Sequence, residues 1–293
     1  MKTFRARSPL LGVALATASL AAIACTASDE AHVEAMELEH ASDEPVASPA
    51  AEIEPRGEIT STEVHYATLG HGGDGEDGVD VNGYLAQPVG EAEARPAVIL
   101  IHEWWGLNDN IRAVADRFAG EGYLALAVDL YEGQVAGDRE GAATLMRATL
   151  EKTDRLNDNL KQARAFLADQ GAGKVGSVGW CFGGGWSLNA AIHLGAELEA
   201  AIIYYGRVTD DPQRLSRVAA PVLGLFGGQD RGIPVESVRA FETAMTELRK
   251  SIEVHVYEDA NHAFANPSGT RYNEAAATDA WAKTLAFFAE HLR

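Results

Sequence analysis

The sequence predicts a single α/β domain in which a mostly parallel central sheet is flanked by helices on both faces. From about residue 58 to the C-terminus, strand-like runs alternate with amphipathic helical segments, and this alternation is typical of doubly wound sheets. The run Ala-Val-Ile-Leu-Ile at 97–101 is continuously apolar, which indicates a strand buried on both faces. With 293 residues, 46% hydrophobic and 23% charged, the chain has the size and composition of a soluble globular protein.

Eight strands and five helices are predicted within this domain. The first two strands, 62–68 and 80–87, alternate polar and apolar residues on either side of the glycine-rich stretch 71–78, so we expect an antiparallel edge joined by a surface loop. The remaining strands are predicted at 95–101, 123–129, 174–180, 200–205, 221–226 and 253–258. Amphipathic spacing predicts helices at 110–121, 139–170, 182–194, 234–248 and 275–292.

The first 25 residues have the pattern of an export signal. Three basic residues precede an uncharged, Ala- and Leu-rich run at 10–24, which is too short for a permanent membrane span. Cys25 follows small residues and resembles the cysteine of a bacterial lipobox, so 1–25 is predicted to be a lipoprotein-type signal peptide ending at a lipidated cysteine. We therefore expect an exported protein of the bacterial cell envelope that touches the membrane only through its lipid. Plain secretion is the alternative.

Residues 26–57 are predicted to be a flexible acidic linker. They contain nine acidic residues, one arginine and almost no large apolar side chains, so burial would not offset the entropy lost on ordering. Partner binding by this acidic run is the alternative. Over the whole chain 24 Lys and Arg oppose 43 Asp and Glu, a net charge of −19, which argues against nucleic acid as a partner. The folded domain is expected to span 58–293.

The segment most informative about function is Gly-Trp-Cys-Phe-Gly at 179–183, between an apolar strand and an amphipathic helix. A nucleophile elbow has this form, because the nucleophile occupies a strained strand-to-helix turn and glycines two residues before and after it leave room. Here the central residue is Cys181, whose thiolate would be stabilised by the helix N-terminus. The alternative is a small buried cysteine packed in a glycine-rich turn.

Two downstream residues complete a candidate catalytic triad. Asp230 follows a buried strand and a glycine turn, and His262 lies in the loop after the last predicted strand. The chain order nucleophile, acid, histidine, with each residue beyond the C-terminal end of a strand, is that of an α/β-hydrolase sheet. The alternative role for Asp230 is to cap the helix that begins near residue 234.

The third predicted strand ends in His-Glu-Trp-Trp-Gly at 102–106, where such a fold supplies part of the oxyanion hole. We expect the backbone N–H groups of Phe182 and Trp104 to hold the oxyanion. Glu103 at the end of a buried strand is costly without a partner, and a structural salt bridge is one explanation for it. The zinc motif His-Glu-x-x-His is excluded because residue 106 is glycine.

Five motifs occur in order along the domain: His-Glu-Trp-Trp-Gly-Leu-Asn at 102–108, Asp-Leu-Tyr at 129–131, Gly-Trp-Cys-Phe-Gly-Gly at 179–184, Gly-Gly-Gln-Asp at 227–230 and Ala-Asn-His-Ala-Phe at 260–264. Together they resemble the dienelactone hydrolase (carboxymethylenebutenolidase) family of the α/β-hydrolase superfamily. The resemblance covers nearly all of the domain from about residue 62.

This resemblance implies an α/β-hydrolase fold and a carboxylic ester hydrolase that cleaves an activated ester or enol lactone through a thioester. Cys181, Asp230 and His262 match the family's triad. Glu103 matches a glutamate that pairs with the resting thiol and helps it to ionise when substrate binds. No metal and no organic cofactor are implied.

Substrate-binding residues are predicted less directly. Members of this family that act on diene lactones hold the substrate carboxylate with two arginines. Arg139 matches the first only loosely, and at the second place residue 266 is Asn, with Arg271 the nearest arginine. Because a neutral amide cannot replace a guanidinium, we expect a substrate without a carboxylate, or one bound differently. Trp105 and its aromatic neighbours indicate an apolar pocket.

We expect a monomer whose partner is a small ester or lactone. The competing hypothesis is a membrane-anchored binding lipoprotein that has the hydrolase fold without catalysis, since a fold does not establish a function. Turnover of an activated ester distinguishes the two.

Overall fold

The computed structural model describes residues 29–41, 43, 54–70, 78–90 and 94–293. The strands among them are β1 Ile59–Leu69, β2 Val79–Pro88, β3 Arg95–Ile101, β4 Leu124–Val128, β5 Ala172–Trp180, β6 Ala200–Tyr204, β7 Val222–Gly227 and β8 Ile252–Tyr257. They form one eight-stranded sheet in the order β1-β2-β4-β3-β5-β6-β7-β8. Every predicted strand is present.

Strand directions confirm the predicted architecture. β1 pairs with β2, and β2 with β4, in antiparallel fashion, whereas the neighbours from β4 and β3 through to β8 pair in parallel. β3 lies between β4 and β5, and its residues from Ala97 to Ile101 are all buried, which explains the unbroken apolar run. The carboxyl ends of the parallel strands therefore meet along one edge of the sheet.

Helices pack on this sheet largely as the sequence predicts. In the described residues they are α1 at 29–39, α2 Asp109–Gly120, α3 Arg139–Leu150, α4 Thr153–Asp169, α5 Phe182–Leu194, a short α6 Pro212–Leu215, α7 Val235–Glu247 and α8 Glu274–Leu292. α2, α5, α7 and α8 confirm the corresponding predictions. None of the helices described here is long and apolar enough to cross a membrane.

The helix predicted at 139–170 is two helices, α3 and α4, separated by a turn at 151–152. The Thr153 hydroxyl donates to the Leu150 carbonyl at 3.0 Å, so a side chain satisfies a backbone group at the break. Apolar spacing did not reveal the break because both helices bury residues against the same domain: Ala142 and Met146 in α3, Leu156 and Leu160 in α4.

Helix α1 departs from the predicted flexible linker. Val33 and Met36 lie one turn apart and are fully buried against the domain. The acidic side chains around them find basic partners at 2.6–2.9 Å: Arg147 pairs with Glu30 and Glu37, and Arg207 pairs with Asp29. The composition of the segment did not reveal the buried apolar face or the ion pairs. It shows only that apolar residues are few, and not that they lie on one face of a helix.

Several sequence predictions fall outside the described residues. These are the signal peptide at 1–25 with Cys25, most of the loop at 71–78, and the parts of the linker at 26–28, 42 and 44–53.

Candidate active site

Cys181 occupies a tight turn between β5 and α5. Its backbone has φ 55° and ψ −116°, a strained conformation for a residue with a side chain. A Cβ placed on Gly179 would collide with the Gly183 carbonyl, and one on Gly183 would collide with the Ile101 carbonyl. The Gly-x-Cys-x-Gly spacing is therefore required by the geometry of the turn, as expected of a nucleophile elbow.

Asp230 and His262 meet in the interior next to this turn. His262 Nδ1 lies 2.7 Å from Asp230 Oδ2, and both side chains are completely buried. The other carboxylate oxygen accepts a hydrogen bond from the Ile233 N–H at 2.8 Å. Asp230 thus fixes the loop before α7 with one oxygen and the histidine with the other, and it does not cap α7, whose N-cap is Pro234.

Cys181 and His262 form a buried thiol–imidazole pair. A ring nitrogen of His262 lies within 4.8 Å of the sulfur. Burial alone would raise the pKa of Cys181, but the charge and hydrogen bonding of His262 lower it to about 6. Burial alone would lower the pKa of His262, but Asp230 and then Cys181 raise it to about 10. Both shifts favour the thiolate–imidazolium form of the pair.

Glu103 is buried beside this pair. Its Oε2 accepts a hydrogen bond from Asn266 Nδ2 at 2.7 Å, while Oε1 has no hydrogen-bond partner among the described residues. Burial, followed by the negative charge of Cys181, raises the pKa of Glu103 to about 7. Asn266, which occupies the position where the family resemblance implies an arginine, therefore contacts the carboxyl group of Glu103, whose pKa responds to the nearby thiolate.

The loop after β3 packs against the start of α5. A Cβ on Gly183 would meet the carbonyls of both Ile101 and His102, so the predicted oxyanion-hole residues Trp104 and Phe182 lie on neighbouring segments. In the described part of the chain, neither of their N–H groups donates to a backbone carbonyl outside regular structure.

His102 holds this loop in place. Its Nδ1 donates to the Glu103 carbonyl at 2.6 Å, and its Nε2 accepts from the Leu130 N–H at 3.1 Å. Burial lowers the pKa of His102, which keeps the ring neutral and able to accept. No role was predicted for His102, although its position directly after a buried strand was a signal for one.

The C-terminal end of α1 covers Cys181. Met36 Sδ lies 3.9 Å and His40 Nε2 lies 3.7 Å from the cysteine sulfur. The His40 ring stacks on Trp104 with centroids 4.4 Å apart and meets His262 edge-on at 5.2 Å. A substrate therefore reaches the thiol only after α1 has moved.

Sequence reasoning missed these covering residues, although a signal for them exists. His32, Met36 and His40 are spaced by four and so share one helix face. His32 also faces the site: burial, then the positive charges of Arg207 and His262, lower its pKa to about 3. A regular spacing of large side chains within this acidic segment was the signal that the segment packs against the domain as a helix.

Arg271, a predicted substrate-binding residue, lies beside the site. Its Nη2 is 2.6 Å from Asp43 Oδ2 and 3.1 Å from His40 Nδ1, and its Nη1 contacts the carbonyl and the carboxylate of Glu39. Burial opposes ionisation of Asp43, but hydrogen bonds from His40 and Thr270 and the charge of Arg271 lower its pKa to about 2. The His40 imidazole contacts Arg271 through Nδ1 and the thiol through Nε2.

The other predicted substrate-binding residues also surround the covering segment. Arg139 donates to the Ala41 carbonyl at 3.3 Å. Trp105 is buried, with its ring 5.0 Å from that of Trp104 and 6.0 Å from that of His40. A neighbouring cavity is lined in part by Glu103, Ile111, Val114, Trp180, Tyr205 and Asn266, and Trp105 is not among its lining residues.

Both the sequence and the fold are similar to known proteins. Residues 81–292 match the dienelactone hydrolase family. The chain belongs to the dienelactone hydrolase family. A protein of Saccharolobus solfataricus named "Putative carboxymethylenebutenolidase" is 32% identical in an alignment 249 residues long, which covers 72% of this chain and 94% of that protein. A protein of the same name from Salmonella typhimurium is 34% identical in an alignment 229 residues long, which covers 73% of this chain and 84% of that protein.

A solved structure from Klebsiella pneumoniae, described as a "Putative Dienelactone Hydrolase", is 28% identical and has a TM-score of 0.71, covering 80% of this chain and 100% of that one. The predicted α/β-hydrolase fold is confirmed, and as a dienelactone hydrolase family member the protein is a carboxylic ester hydrolase. The family match begins after α1, so the helix that covers the site lies outside the matched region.

Proposed function

We propose that this dienelactone hydrolase family member cleaves an activated ester or enol lactone with Cys181 as nucleophile, His262 as acid and base, and Asp230 as the residue that orients the histidine. The observation that carries the proposal is the fully buried Asp230–His262 pair next to a cysteine on a strained strand-to-helix turn. A merely structural cysteine requires neither the strained turn nor a buried carboxylate–imidazole pair.

In the first half of the reaction the Cys181 thiolate attacks the ester carbonyl carbon. The carbonyl oxygen becomes an oxyanion, held by the backbone N–H groups of Phe182 and Trp104. Collapse of this intermediate breaks the bond to the leaving oxygen, which takes a proton from His262. An open-chain ester releases this oxygen as an alcohol, whereas an enol lactone opens and keeps it on the acyl group as an enol. Cys181 is left as a thioester.

In the second half His262, now neutral, removes a proton from water, and the resulting hydroxide attacks the thioester carbonyl. The carboxylic acid product leaves, and Cys181 departs as a thiolate beside the protonated histidine. Asp230 stabilises the imidazolium in both halves through its 2.7 Å contact. Atoms and charges are restored after each turnover.

A cysteine nucleophile favours esters with good leaving groups. Because a thiolate leaves more readily than an ordinary alkoxide, the intermediate formed from an alkyl ester reverts to substrate. The lowered pKa of Cys181, about 6, makes the thiolate a still better leaving group. Enol lactones and aryl esters release stabilised anions, so they are the substrate class that we propose.

Glu103 adjusts the charge of the nucleophile. With a pKa raised to about 7, its carboxyl group is partly protonated at neutral pH. The protonated carboxyl group carries no charge and does not destabilise the adjacent thiolate, whereas the ionised carboxylate destabilises the thiolate by charge repulsion. Asn266 holds this carboxyl group without adding a charge, so the balance is set by burial and by the thiolate.

The proposal is tested by trapping the acyl-enzyme. Mixing the protein with p-nitrophenyl acetate is expected to release a burst of one p-nitrophenolate per chain, with the acetyl group on the peptide that contains Cys181. Prior treatment with iodoacetamide should abolish the burst. Acetylation elsewhere, or turnover by a fully alkylated Cys181, would show that the nucleophile has been misassigned. No structural observation favours the non-catalytic alternative, and a complete lack of turnover would point to it.

We expect Arg271 to determine preference for a carboxylated substrate. Its guanidinium already holds the carboxylates of Glu39 and Asp43 close to the thiol. Arg271→Ala should lower the ratio of kcat/KM for a carboxylated aryl ester to that for its neutral counterpart by roughly 10- to 150-fold, the value of one charge-assisted hydrogen bond.

The neutral ester serves as the internal control, because loosening of α1 by the substitution affects access for both substrates. Arg271→Lys keeps the charge without the planar fork and should lose less. An unchanged ratio in Arg271→Ala would mean that this arginine only fastens α1.

The pH profile of kcat/KM is expected to rise tenfold per unit up to about pH 6 and to fall above about pH 10. The reactive form has Cys181 deprotonated, with its pKa lowered to about 6, and His262 protonated, with its pKa raised to about 10, so activity is lost below the first value and above the second. In His262→Asn the onset of Cys181 alkylation should move up toward the ordinary thiol pKa of about 8.5. An onset still near pH 6 would assign the lowered thiol pKa to other groups.

We further propose that the protein is exported and carries lipid on Cys25, and that it acts as a monomer. The support is the signal-like sequence at 1–25. Cys25→Ser is expected to shift the protein from the membrane fraction to the soluble fraction, or to stall signal cleavage. Intact-mass analysis showing a different N-terminus without lipid would indicate plain secretion.

A further inference from the structure

Three metal-ligating side chains meet at the buried thiol. A ligand atom of each of His40, Cys181 and His262 lies within 4.8 Å of the other two. The three residues are 2%, 2% and 0% exposed, and they come from the end of α1, the turn before α5 and the loop after β8. Two imidazoles and a thiolate are a ligand set that suits zinc and disfavours magnesium or calcium.

Each histidine also has a carboxylate on its Nδ1 side. His262 Nδ1 lies 2.7 Å from Asp230, and His40 Nδ1 lies 2.8 Å from Asp43. An Nδ1–H donated to a carboxylate leaves the Nε2 lone pair free to bind a metal and makes it more basic. Arg271 Nη2 also lies 3.1 Å from His40 Nδ1, but a guanidinium only donates, so the Asp43 carboxylate is the neighbour that accepts the Nδ1–H. Each imidazole therefore has the carboxylate partner that zinc-binding histidines often have.

A single proton cannot form hydrogen bonds with all three ligand atoms of this cluster. One proton can lie between Cys181 and one imidazole, which leaves the Nε2 lone pair of the other imidazole facing the sulfur. Within the described residues the fully buried Nε2 of His262 has the Cys181 sulfur as its hydrogen-bond partner and no nitrogen or oxygen partner, and sulfur is a weak acceptor. A dication accepts an electron pair from all three atoms at once.

The distances are close to those of a zinc site. Zn–S bonds of about 2.3 Å and Zn–N bonds of about 2.05 Å at tetrahedral angles separate sulfur from nitrogen by about 3.6 Å. The Cys181 sulfur and His40 Nε2 are 3.7 Å apart. Because all separations between the three ligand atoms are within 4.8 Å, bringing these atoms to the spacing of a zinc site requires displacements of about 1 Å.

Charge is also balanced when a dication is present. The ion and the thiolate together leave one positive charge, and Arg271 supplies a second beside Asp43. The carboxylates of Asp43, Asp230 and Glu39 face these two positive charges. The cluster can therefore bury a dication without leaving an uncompensated positive charge in a dry site.

We propose that His40, Cys181 and His262 form a Zn²⁺ site that inhibits the enzyme. Zinc binding releases the proton shared by Cys181 and His262 to solvent, and it occupies the sulfur electron pair that attacks the ester and the imidazole nitrogen that moves protons. The ion also bonds α1 to the active site through His40, so the cover stays closed. Zinc here is an inhibitor rather than a cofactor, and its binding does not depend on the proposed reaction.

Zinc binding is measured by equilibrium dialysis on the full chain carrying Cys25→Ser, which leaves Cys181 as its one thiol. We expect one Zn²⁺ per chain, and with Co²⁺ a thiolate-to-cobalt charge-transfer band. His40→Phe keeps a ring on Trp104 but removes the ligand atom, and it should weaken zinc binding by roughly 100-fold or more. Asp43→Asn should weaken it by roughly 10- to 100-fold.

His65→Phe is the matched control, because its side chain is half exposed on β1, and it should bind zinc like the parent. Thermal melting confirms that each variant is folded. Equal zinc affinity in the parent and His40→Phe would overturn the proposal, since the catalytic pair alone would then bind the ion. Lack of stoichiometric zinc in the parent would overturn it too. Because dialysis uses no ester, either result is independent of whether the enzyme hydrolyses activated esters.

Discussion

Cys181→Ala and His262→Ala are each expected to lower the kcat for p-nitrophenyl acetate at least about 1,000-fold. In the proposed mechanism the two residues act as a unit, so loss of either should remove most of the rate advantage that the triad provides. Cys181→Ala leaves no atom to form the thioester, and His262→Ala removes the proton donor and the positive charge that lowers the pKa of Cys181. Single-turnover and steady-state rates measured side by side give the loss in each half-reaction.

Circular dichroism and thermal melting should show both variants folded, because the elbow depends on the glycines at 179 and 183 rather than on the thiol. Cys181→Ser should also lose most activity, since a hydroxyl ionises far less readily than a thiol in the same surroundings. Near-parental turnover by Cys181→Ala would assign the chemistry to another residue. Full activity of the serine variant would mean that Glu103 and His262 are not specialised for a thiol.

The sheet was predictable because its patterns are local. Each strand is a short apolar run between turn residues, and the two polar–apolar alternating strands at the edge pair antiparallel as their pattern indicates. The elbow was predictable for the same reason, because its glycines occupy fixed offsets from Cys181. Asp230 and His262 could be chosen from their positions after strands, since parallel strands bring their carboxyl ends together.

The cover over the site was not predictable from composition. Its stability depends on pairs far apart in sequence, such as Arg271 with Asp43 and Arg147 with Glu30, and on Met36 meeting a thiol 145 residues away. The sequence of the acidic segment alone cannot predict such pairs, because the partner residues lie far outside it. The same separation explains why Asn266 was read as a missing substrate contact, although its amide binds Glu103.

Met36→Asp is expected to open the site. Met36 is 1% exposed and touches the Cys181 sulfur, so the substitution removes a buried apolar contact and places a carboxylate beside the thiolate. Loss of a buried Met side chain costs roughly 2–5 kcal/mol, which corresponds to a shift of about 30-fold or more in the ratio of open to closed protein. The rate of Cys181 alkylation by iodoacetamide in the Cys25→Ser chain should rise by that factor. The rise in kcat/KM should be smaller for substrates whose rate is limited by the chemical step.

Leu38→Asp provides a matched control on the same helix. Leu38 is 78% exposed, so this variant adds the same charge to α1 without disturbing its buried face, and alkylation should stay at the parental rate. If both variants are alkylated faster by the same factor, the added charge on α1, rather than the docking of its buried face, controls access to Cys181. If Met36→Asp alkylates no faster, α1 already opens freely in solution. If it alkylates faster but hydrolyses more slowly, α1 contributes to substrate binding, and Arg271 with its carboxylate partners is the place where that contribution arises.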